Sequence, residues 1–507
     1  MLRLMHHTTI QHRKRYPPML KSILQFGQSG IPELVQIQES FFDDPTKIAE
    51  FIRGGSDVFL QAALDFFGET FTRLDEHLRN NFCRKEDWYI VRRDEASTLC
   101  SIGRINYQKT LFMNRKTGER RYLADDLFGF EPHERMTEDA FVKLLDEAAD
   151  SSYRKSGMTT SITEEVSKQT VMNKVHDLKF PPEQKRPGRK KKVEYLYIDA
   201  DEDHVALQYD QVKGDLRHGQ HACVMPRLVY VYEGIEADGS EPSRHHLVNA
   251  QYFGGVYDGG PRELWEEVDH YIRNHYDLTT IRKIYIHGDG AGWIRSGCDV
   301  IGSSQFVLDR YHMHKYIIAA TSHLLDSKED ARSAVYRAIH HRKKYEAREV
   351  FEHILAVTDS ESKQKAVQAS MDYILNNWAG IMASLKDKEH QTGCSAEGHV
   401  SHVLSDRLSS RPLGWSRIGA DRMTRLRVYK QNGGDLLALV RYQKKPVQKA
   451  AGAEGYEALE YYDRRGLLAS ENSHRGELGK YCDVFRASIV EGTARKTAAI
   501  RWHLWDI

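Results

Sequence analysis

Acidic residues at three distant places in the chain have the types and surroundings that could bind divalent metal ions. Asp199 and Asp201 lie near the end of a predicted strand in YLYIDADEDHV. Asp289 closes a later strand in KIYIHGDGAGW, and Glu397 follows a long helical stretch in CSAEGHVSHVL. Carboxylates at strand ends project from one edge of a sheet, where loops can admit a ligand. Two neighbouring strands and one helix could therefore bring these carboxylates to one point.

A group of carboxylates of this kind has a well-defined chemistry. Mg²⁺ binds proteins through a few carboxylates, and water and phosphate oxygens complete its shell. Two such ions about 3.5–4 Å apart can activate a nucleophile and stabilise the leaving oxygen of an in-line phosphoryl displacement. Gly288 and Gly290 would let a phosphate backbone approach Asp289, although Asp–Gly is also an ordinary turn. We predict a Mg²⁺ site, at which Mn²⁺ is expected to substitute, built from Asp289 with Asp201 and Glu397.

The choice of carboxylate on the first strand is open between two aspartates. Residues i and i+2 of a strand point to the same face. Asp199 and Asp201 could therefore both face the site, and Asp203 continues the same alternation. We predict Asp201 as the metal ligand, with Asp199 as a close neighbour or an alternative ligand. His399 and His402 would also suit zinc, but no further residues supply matching ligand spacing.

Hydrophobic patterning and turn signals divide the chain into segments that must position these residues. The predicted segments are a helical N-terminal region (1–85), a small β-rich segment (86–135), a helix-turn-helix-like region (136–178), a basic linker (179–192), the first part of a core (193–325), a helical insertion (326–390), the core helix with Glu397 (391–415) and a basic C-terminal region (416–507). After residue 193, strand-like runs are followed by helix, strand, helix and strand, which is the order of an RNase H-like fold. We predict a multidomain α/β protein with an RNase H-like catalytic core and an all-α insertion, preceded by helical and β-rich DNA-binding regions.

Residues 137–177 predict a DNA-reading element. Two or three short amphipathic helices joined by a polar turn suit a helix-turn-helix. Ser167, Lys168 and Gln169 would then face the groove, because small polar side chains and lysine reach phosphates and base edges. An ordinary helical hairpin is the alternative.

Basic residues are unevenly distributed along a chain whose net charge is only +1, so their distribution must decide whether nucleic acid binds. One basic cluster lies within 185–192 and another runs from Arg407 to Lys430. Such clusters neutralise DNA phosphates, although solvated linkers and helix faces carry them too. The predicted DNA contacts here are Arg186, Arg189, Lys190, Lys191, Arg411, Arg417 and Arg425.

Cysteine usage and the lengths of the apolar runs indicate the cellular compartment of the protein. The six cysteines are scattered without a C-x-x-C pair, so neither a zinc ribbon nor a disulfide framework is expected. No apolar run approaches the roughly 20 residues of a membrane span. The first residues lack the apolar segment of a signal peptide. We expect a cytoplasmic protein with no membrane partner.

Four strings in a fixed order carry a resemblance to a known family. They are YIDADEDHVALQ, HGDGAGWIRSG, VLDRYHMHKYI and CSAEGHVSHVLSDRLSSRPLGWS. Together they resemble the ISLre group of bacterial insertion-sequence transposases, which is similar to the wider Mutator-like DDE transposases. The resemblance implies a DDE triad on Asp201, Asp289 and Glu397, and a helical insertion that matches 326–390.

The same resemblance implies a second motif, in which Cys or Asp is followed after two residues by His. In this chain the motif is Asp309 and His312. An imidazole there could touch the scissile phosphate or a metal-bound water. A helix-capping aspartate with a satisfied histidine is the alternative.

The expected function follows from the resemblance. It implies an insertion-sequence transposase that cleaves DNA at element ends with metal ions and transfers the strand to target DNA. The expected partners are double-stranded terminal inverted repeats and target DNA, bound in the nucleoid by a homodimer or higher oligomer. Two alternatives stay open: an RNase H-like nuclease without strand transfer, and a non-catalytic DNA-binding regulator built around 137–177.

Overall fold

A computed structural model describes residues 20–80, 82–182, 188–217, 220–237, 239, 245–386, 392–411 and 413–444, with the side chains of 82–84 excepted. The described chain forms two compact units, one with the residues up to Arg135 and Lys444, and the other running from Met136 to Gln443. The parts of the predicted segments that fall within 136–443 therefore belong to one unit.

The first unit joins helices to a small antiparallel sheet. Its elements are α1 (Lys21–Gln25), a π-helical turn (Phe26–Gly30), α2 (Ile31–Asp43), α3 (Ile48–Asn80), α4 (Phe82–Asp87), β1 (Trp88–Leu99), β2 (Arg104–Asn114), β3 (Arg120–Tyr122) and α5 (Leu123–Phe128). The strand order is β1-β2-β3. Leu78, Trp88 and Phe112 form a buried cluster between α3 and the sheet. Buried Asp75 on α3 accepts hydrogen bonds from the backbone and hydroxyl of Thr110 at 2.8 and 2.6 Å, which fixes the helix on β2.

The second unit begins with three helices, α6 (Glu138–Asp150), α7 (Tyr153–Thr159) and α8 (Lys168–His176). Ser167 starts α8 as its N-cap, and its Oγ accepts from the backbone N–H of Thr170 at 3.1 Å. A side-chain acceptor at this place satisfies a helix N–H that has no partner within the helix. Val171 and Val175 bury the inner face of α8.

A mixed sheet lies at the centre of the second unit. The elements of this region are β4 (Tyr195–Glu202), β5 (Val205–Ala206), β6 (Cys223–Val224), β7 (Arg227–Tyr232), β8 (Gly234–Ala237), β9 (His245–Val248), β10 (Gln251–Gly255), α9 (Arg262–His275), β11 (Lys283–Gly288), α10 (Gly292–Arg295), α11 (Gly297–Val300) and β12 (Ser304–Leu308). The central sheet has the order β10-β7-β4-β11-β12, and β5–β6 and β8–β9 are small separate pairs. Strand β7 is antiparallel to β10 and β4, whereas β4, β11 and β12 are parallel.

The two faces of this sheet differ in chemistry. On one face, apolar residues such as Ile198 and Ile286 pack against Trp265 and Val268 of α9. Because side chains alternate along a strand, the other face carries Tyr197, Asp199, Tyr230, Tyr232, Tyr285 and His287, all of them buried. A buried polar face of this kind needs hydrogen-bond partners, which come from within the face and from Thr392 and Ser395.

Helices cover the polar face and complete the unit. They are α12 (Arg310–Thr321), α13 (Lys328–His340), α14 (Lys344–Ala356), α15 (Glu361–Asn376), α16 (Trp378–Lys386), α17 (Ala396–Val400), α18 (Asp406–Leu408), α19 (Arg417–Gln431) and α20 (Leu436–Gln443). A π-helical turn (Ser401–Ser405) joins α17 to α18. Phe351, Ile374 and Trp378 lie in one core of α12–α16, so Trp378 is a core residue. None of the helices in the described ranges combines the length and apolar character that a membrane crossing requires.

The structure confirms the prediction of a mixed α/β protein. The predicted helical stretch 326–390 corresponds to α13–α16, whose last described residue is Lys386.

Candidate functional site

Asp201 lies near the end of β4, and Asp289 directly follows the neighbouring parallel strand β11. In the β4–β11 register Asp199 pairs with His287, and Asp201 and Asp289 each come two residues later in the chain. Both carboxylates are partly buried. Asp201 accepts from the backbone N–H of Glu202 at 2.9 Å, and Asp289 accepts from that of Ala291 at 2.8 Å. The parallel pairing therefore brings together two acids that are 88 residues apart.

The surroundings of Asp201 resist a negative charge. Burial raises its pKa to about 6, the N–H of Glu202 lowers it, and the negative charge of Asp289 raises it again. A like charge held close in a half-dry site disfavours ionisation of Asp201. A bound cation would remove this repulsion, so the pair suits a hard divalent metal ion.

Glu202 is a further acid near this pair that sequence reasoning missed. Burial raises its pKa, the indole N–H of Trp293 bonds its carboxylate and lowers the pKa, and the charge of Asp289 raises it. Strand alternation argued against Glu202, because it follows Asp201 directly in the same strand. The signal that could have found it is its place at the last residue of β4, where alternation no longer dictates direction.

His312 stands beside the same carboxylates. Its Nδ1 lies 2.9 Å from the carboxylate of Asp309. That hydrogen bond raises the pKa of His312, burial lowers it, and the charges of Asp309, Asp289 and Asp201 raise it. Asp309 is also the N-cap of α12 and accepts from the backbone N–H of Tyr311. The capping alternative and a histidine held at the acidic site therefore coexist.

The loop after β11 is held from behind by α15. The hydroxyl of Tyr373 donates to the backbone carbonyl of Asp289. Gly290 has a φ of 93°, and a Cβ there would meet Asn377 Oδ1 at 2.5 Å. Both the positive φ and the close neighbour require glycine. The helices predicted as an insertion thus shape the turn that carries Asp289.

Asp199 needs a correction, because its surroundings do not fit the predicted metal ligand. It is fully buried. Its carboxylate accepts from Tyr230 Oη at 2.8 Å, Tyr232 Oη at 3.1 Å and the backbone N–H of Ser395 at 2.9 Å, and it lies 2.8 Å from His287 Nδ1. Burial raises its pKa, but the bonds from these donors outweigh burial and lower it. Because donors occupy both of its oxygens, Asp199 is the centre of a buried hydrogen-bond network.

Glu397 lies in the first turn of α17 and is exposed. Helix α17 packs against β4. Within it, His399 places its ring 4.6 Å from that of Tyr230 and its Nδ1 3.1 Å from Tyr252 Oη. Among the described residues no three Asp, Glu, His or Cys side chains are grouped closely enough for one metal ion. The structure thus unites Asp201 and Asp289, while the place of Glu397 in the site stays a prediction.

The predicted helix-turn-helix residues are at the surface. Ser167, Lys168 and Gln169 are all exposed. In the linker, Arg189 and Lys190 are exposed too, whereas Lys191 Nζ contacts Glu233 at 2.7 Å. Arg186, the remaining linker prediction, lies outside the described residues.

Two of the predicted C-terminal DNA contacts are half-buried, and their charges are paired within the chain. Arg417 contacts Asp210 at 2.8 Å. Arg425 contacts Asp421 at 3.0 Å and lies over the ring of Tyr257. Only Arg411, of the three predicted here, is exposed.

Three other basic residues of that run also make contacts within the chain. Buried Arg407 donates from Nε to the carbonyl of Ala148 at 3.0 Å. Arg427 contacts Asp150 at 2.8 Å, and Lys430 contacts the same carboxylate at 2.7 Å. Sequence could not separate these residues from a DNA-binding surface, because their partners, the carbonyl of Ala148 and the carboxylate of Asp150, lie far away in the chain.

Comparison with known proteins places the chain in a family. The sequence pattern of UPF0236, described as an uncharacterised protein family, matches residues 56–446, and the chain belongs to this family. It is 35% identical over 413 residues to UPF0236 protein TTE2489 of Caldanaerobacter subterraneus subsp. tengcongensis, covering 82% of this chain and 85% of the relative.

Two further relatives extend the comparison. A second protein of the same organism is 34% identical over 414 residues, covering 82% of this chain and 84% of the relative, and its name joins eleven TTE designations. The UPF0236 protein in the vanSb 3′ region of Streptococcus gallolyticus is 23% identical over 384 residues, covering 73% of this chain and 80% of the relative.

Proposed function

We propose that this protein is a DDE-type DNA transposase that cleaves the ends of an insertion sequence and joins them to target DNA. The observation that carries the proposal is the proximity of Asp201, Asp289 and His312 at the ends of the parallel strands β4 and β11, where their charges shift the protonation of Asp201 and of His312. A cluster of acids with perturbed pKa values in a polar setting is a candidate site for chemistry. Carboxylates without a side-chain nucleophile point to metal-assisted phosphoryl transfer.

The strand order supports an RNase H-like core. Three consecutive antiparallel strands, β4, β7 and β10, occupy one side of the sheet, if the small β5–β6 and β8–β9 pairs are set aside. Strands β11 and β12 then add on the other side of β4, parallel to it. In this arrangement the first strand is central and its neighbour β11 brings the second acid, as a DDE site requires. Fold analogy alone does not define function, so the acids carry the argument.

The acidic group suits Mg²⁺ or Mn²⁺. Asp201 and Asp289 would hold the ion, and Glu397 or Glu202 would supply a third carboxylate. When bound, such ions activate a nucleophile and stabilise the leaving oxygen of a phosphoryl displacement. His312, held by Asp309, would contact the scissile phosphate or a metal-bound water.

Relatives support a mobile element. Eleven designations under one name are what a gene present in many copies in one genome would produce. Two further UPF0236 names from that organism join four and two designations. A transposase gene multiplies in this way because its product copies or moves the DNA that encodes it.

The exposed residues of α8 support DNA recognition. Lys168 and Gln169 lie in the first turn of a helix that follows α7, the place from which a recognition helix reads base edges. We propose that the partners are terminal inverted repeats and target DNA, bound in the bacterial cytoplasm. Joining two ends requires two active sites, which favours a homodimer or higher oligomer.

Cleavage and strand transfer of a labelled terminal-repeat duplex test the proposal. The wild-type protein with Mg²⁺ should nick the repeat end and join its 3′-hydroxyl to a plasmid. Asp201→Asn, Asp289→Asn and Glu397→Gln should lose both products and keep end binding, while Asp299→Asn, an exposed acid on α11, should keep both. Cleavage without joining would favour a nuclease, and binding without any metal-dependent product would favour a regulator.

A further inference from the structure

Residues 396–408, comprising α17, the π-helical turn and α18, form one helical stretch that we call the cover helix. Ser395 is its N-cap, and it donates from its backbone N–H at 2.9 Å and its Oγ at 3.3 Å to Asp199. Ser409 is its C-cap, and its Oγ lies 2.9 and 2.8 Å from the two carboxylate oxygens of Asp203. The cover helix is therefore fastened to one strand region at both ends.

We infer that Asp199 and Asp203 are positioning residues, which hold the cover helix so that Glu397 is presented to the end of β4. The role of Glu397 itself rests on the proposed function. Asp201 lies midway between the two fastening aspartates in the chain, so the fastening points flank the proposed metal ligand. Residues that orient a catalytic group through fixed hydrogen bonds control its geometry without touching the substrate.

The N-terminal fastening is part of a buried network. Tyr230 Oη, which donates to Asp199, also lies 2.8 Å from Ser395 Oγ. Tyr232 Oη, the second tyrosine donor, lies 2.8 Å from Thr392 Oγ1. Since a buried carboxylate without its donors is costly, the segment 392–395 is strongly held against the sheet.

The middle of the cover helix is held from its other side. A π-helical turn lacks the regular hydrogen-bond pattern of an α-helix and often occurs at functional sites. Arg427 donates to the backbone carbonyl of His402 at 2.6 Å and to that of Val403. Arg407, within the cover helix, donates to Ala148. Hydrogen bonds with the β4 region, α6 and α19 thus hold the cover helix at its two ends and in its middle.

Hydrogen exchange and thiol alkylation of the full-length protein test the fastening without any need for activity. The variants are Asp199→Asn, Ser409→Ala and Ser409→Thr, with Asp406→Asn as the matched control. Asp406 lies on the cover helix, but its side chain is 59% exposed and its ionic contact to His402 is long at 3.6 Å. Half-buried Cys394, next to Ser395, reports release of the N-terminal end, and exposed Cys223 is the internal reference.

We expect Asp199→Asn to speed alkylation of Cys394 by roughly tenfold or more, with Cys223 unchanged, because local opening becomes easier. Ser409→Ala should speed amide exchange in 400–411 by a similar factor, while Ser409→Thr and Asp406→Asn resemble the wild type. Unchanged exchange and alkylation in these variants, once folded, would overturn the fastening. If Asp199→Asn does not fold, the exchange result for Ser409→Ala decides whether the fastening exists. This variant removes a single hydroxyl and is expected to fold.

Strand cleavage tests the positioning role. Ser409→Ala should lower kcat by roughly tenfold, as a small misplacement of a catalytic group does, while affinity for end DNA stays constant and Ser409→Thr restores the rate. An unchanged kcat in Ser409→Ala with faster exchange would overturn positioning and leave a purely structural contact. Absence of cleavage by the wild-type protein would instead count against the proposed function, and the exchange results would still judge the fastening.

Discussion

Asp289, which directly follows β11, lies close enough to Asp201 of the parallel strand β4 for the two charges to interact. Burial is the larger cause of the rise in the pKa of Asp201 to about 6, and the negative charge of Asp289 adds to it. A site that holds like charges together is destabilising in the absence of a cation, and sites of function commonly carry such a cost.

Replacing Asp201 by Asn should stabilise the metal-free protein near neutral pH. The pKa of Asp201 in the folded chain lies above its ordinary value of 3.8. Its favourable contribution to folding is therefore complete below pH 3.8 and is lost as pH rises through about 6. Asp201→Asn should raise the free energy of unfolding by about 1 to 3 kcal/mol at neutral pH. Urea unfolding with chelator present measures it, and a variant equal to or weaker than the wild type would contradict the argument.

Mg²⁺ should remove the destabilisation that ionised Asp201 causes in the wild-type protein. A ligand that binds only the folded state raises Tm, so millimolar Mg²⁺ should stabilise the wild type and leave Asp201→Asn and Asp289→Asn unchanged. The effect should fade below about pH 6, where protonation of Asp201 competes with the ion. Scanning calorimetry with and without Mg²⁺ checks both points, and an equal Tm shift in the Asn variants would place the ion elsewhere.

Arg407 and Arg411 should behave oppositely although they are four residues apart. Arg407→Ala removes a buried cation that bonds Ala148 and lies over the ring of Trp415 at 4.7 Å. We expect it to lower the free energy of unfolding by about 2–4 kcal/mol. Arg411→Ala should leave stability unchanged and weaken DNA binding, reducing the slope of log K against log salt by about 1. Denaturation and salt-titrated binding separate the two effects.

Lys168 should bind DNA without supporting the fold. Lys168→Ala should weaken binding to terminal-repeat DNA and reduce the salt slope by about 1, with an unchanged Tm. The control Lys363→Ala removes an exposed lysine from α15. Ser167→Ala should instead cost about 1 kcal/mol of stability, since it removes the N-cap of α8. Equal binding by Lys168→Ala and the control would remove α8 from the DNA interface.

His176 should make the contact between α8 and α19 sensitive to acid. Burial lowers its pKa below 6.5, Asp177 raises it and Arg422 lowers it, and the ring of Tyr153 lies 6.5 Å away. A lowered pKa means that the stability contributed by neutral His176 is present above pH 6.5 and is lost as pH falls through the folded pKa. Because the ring is half-exposed, the loss should stay below about 1 kcal/mol. In His176→Gln, the free energy of unfolding measured with urea should fall less as the pH is lowered. If it falls as much as in the wild type, His176 is not the source of the acid sensitivity.

Local sequence patterns were enough to predict the mixed α/β class, the helical block after residue 326, and the strand-end setting of Asp201 and Asp289. These features are local: alternation, helical periodicity and turn residues are readable within a short window. The sequence also singled out Asp309 and His312, though it left open whether they cap a helix or serve a site.

Which charged residues are available for binding became clear from the folded chain and not from the sequence. Asp199 and Asp201 have the same spacing pattern, yet one is enclosed by donors from distant segments and the other lies at the acidic site. Arg417 and Arg411 have similar neighbours in the chain, yet one meets Asp210 and the other is exposed. Burial and ion pairing depend on residues that are hundreds of positions apart and that folding brings into contact. A local sequence pattern does not contain this information.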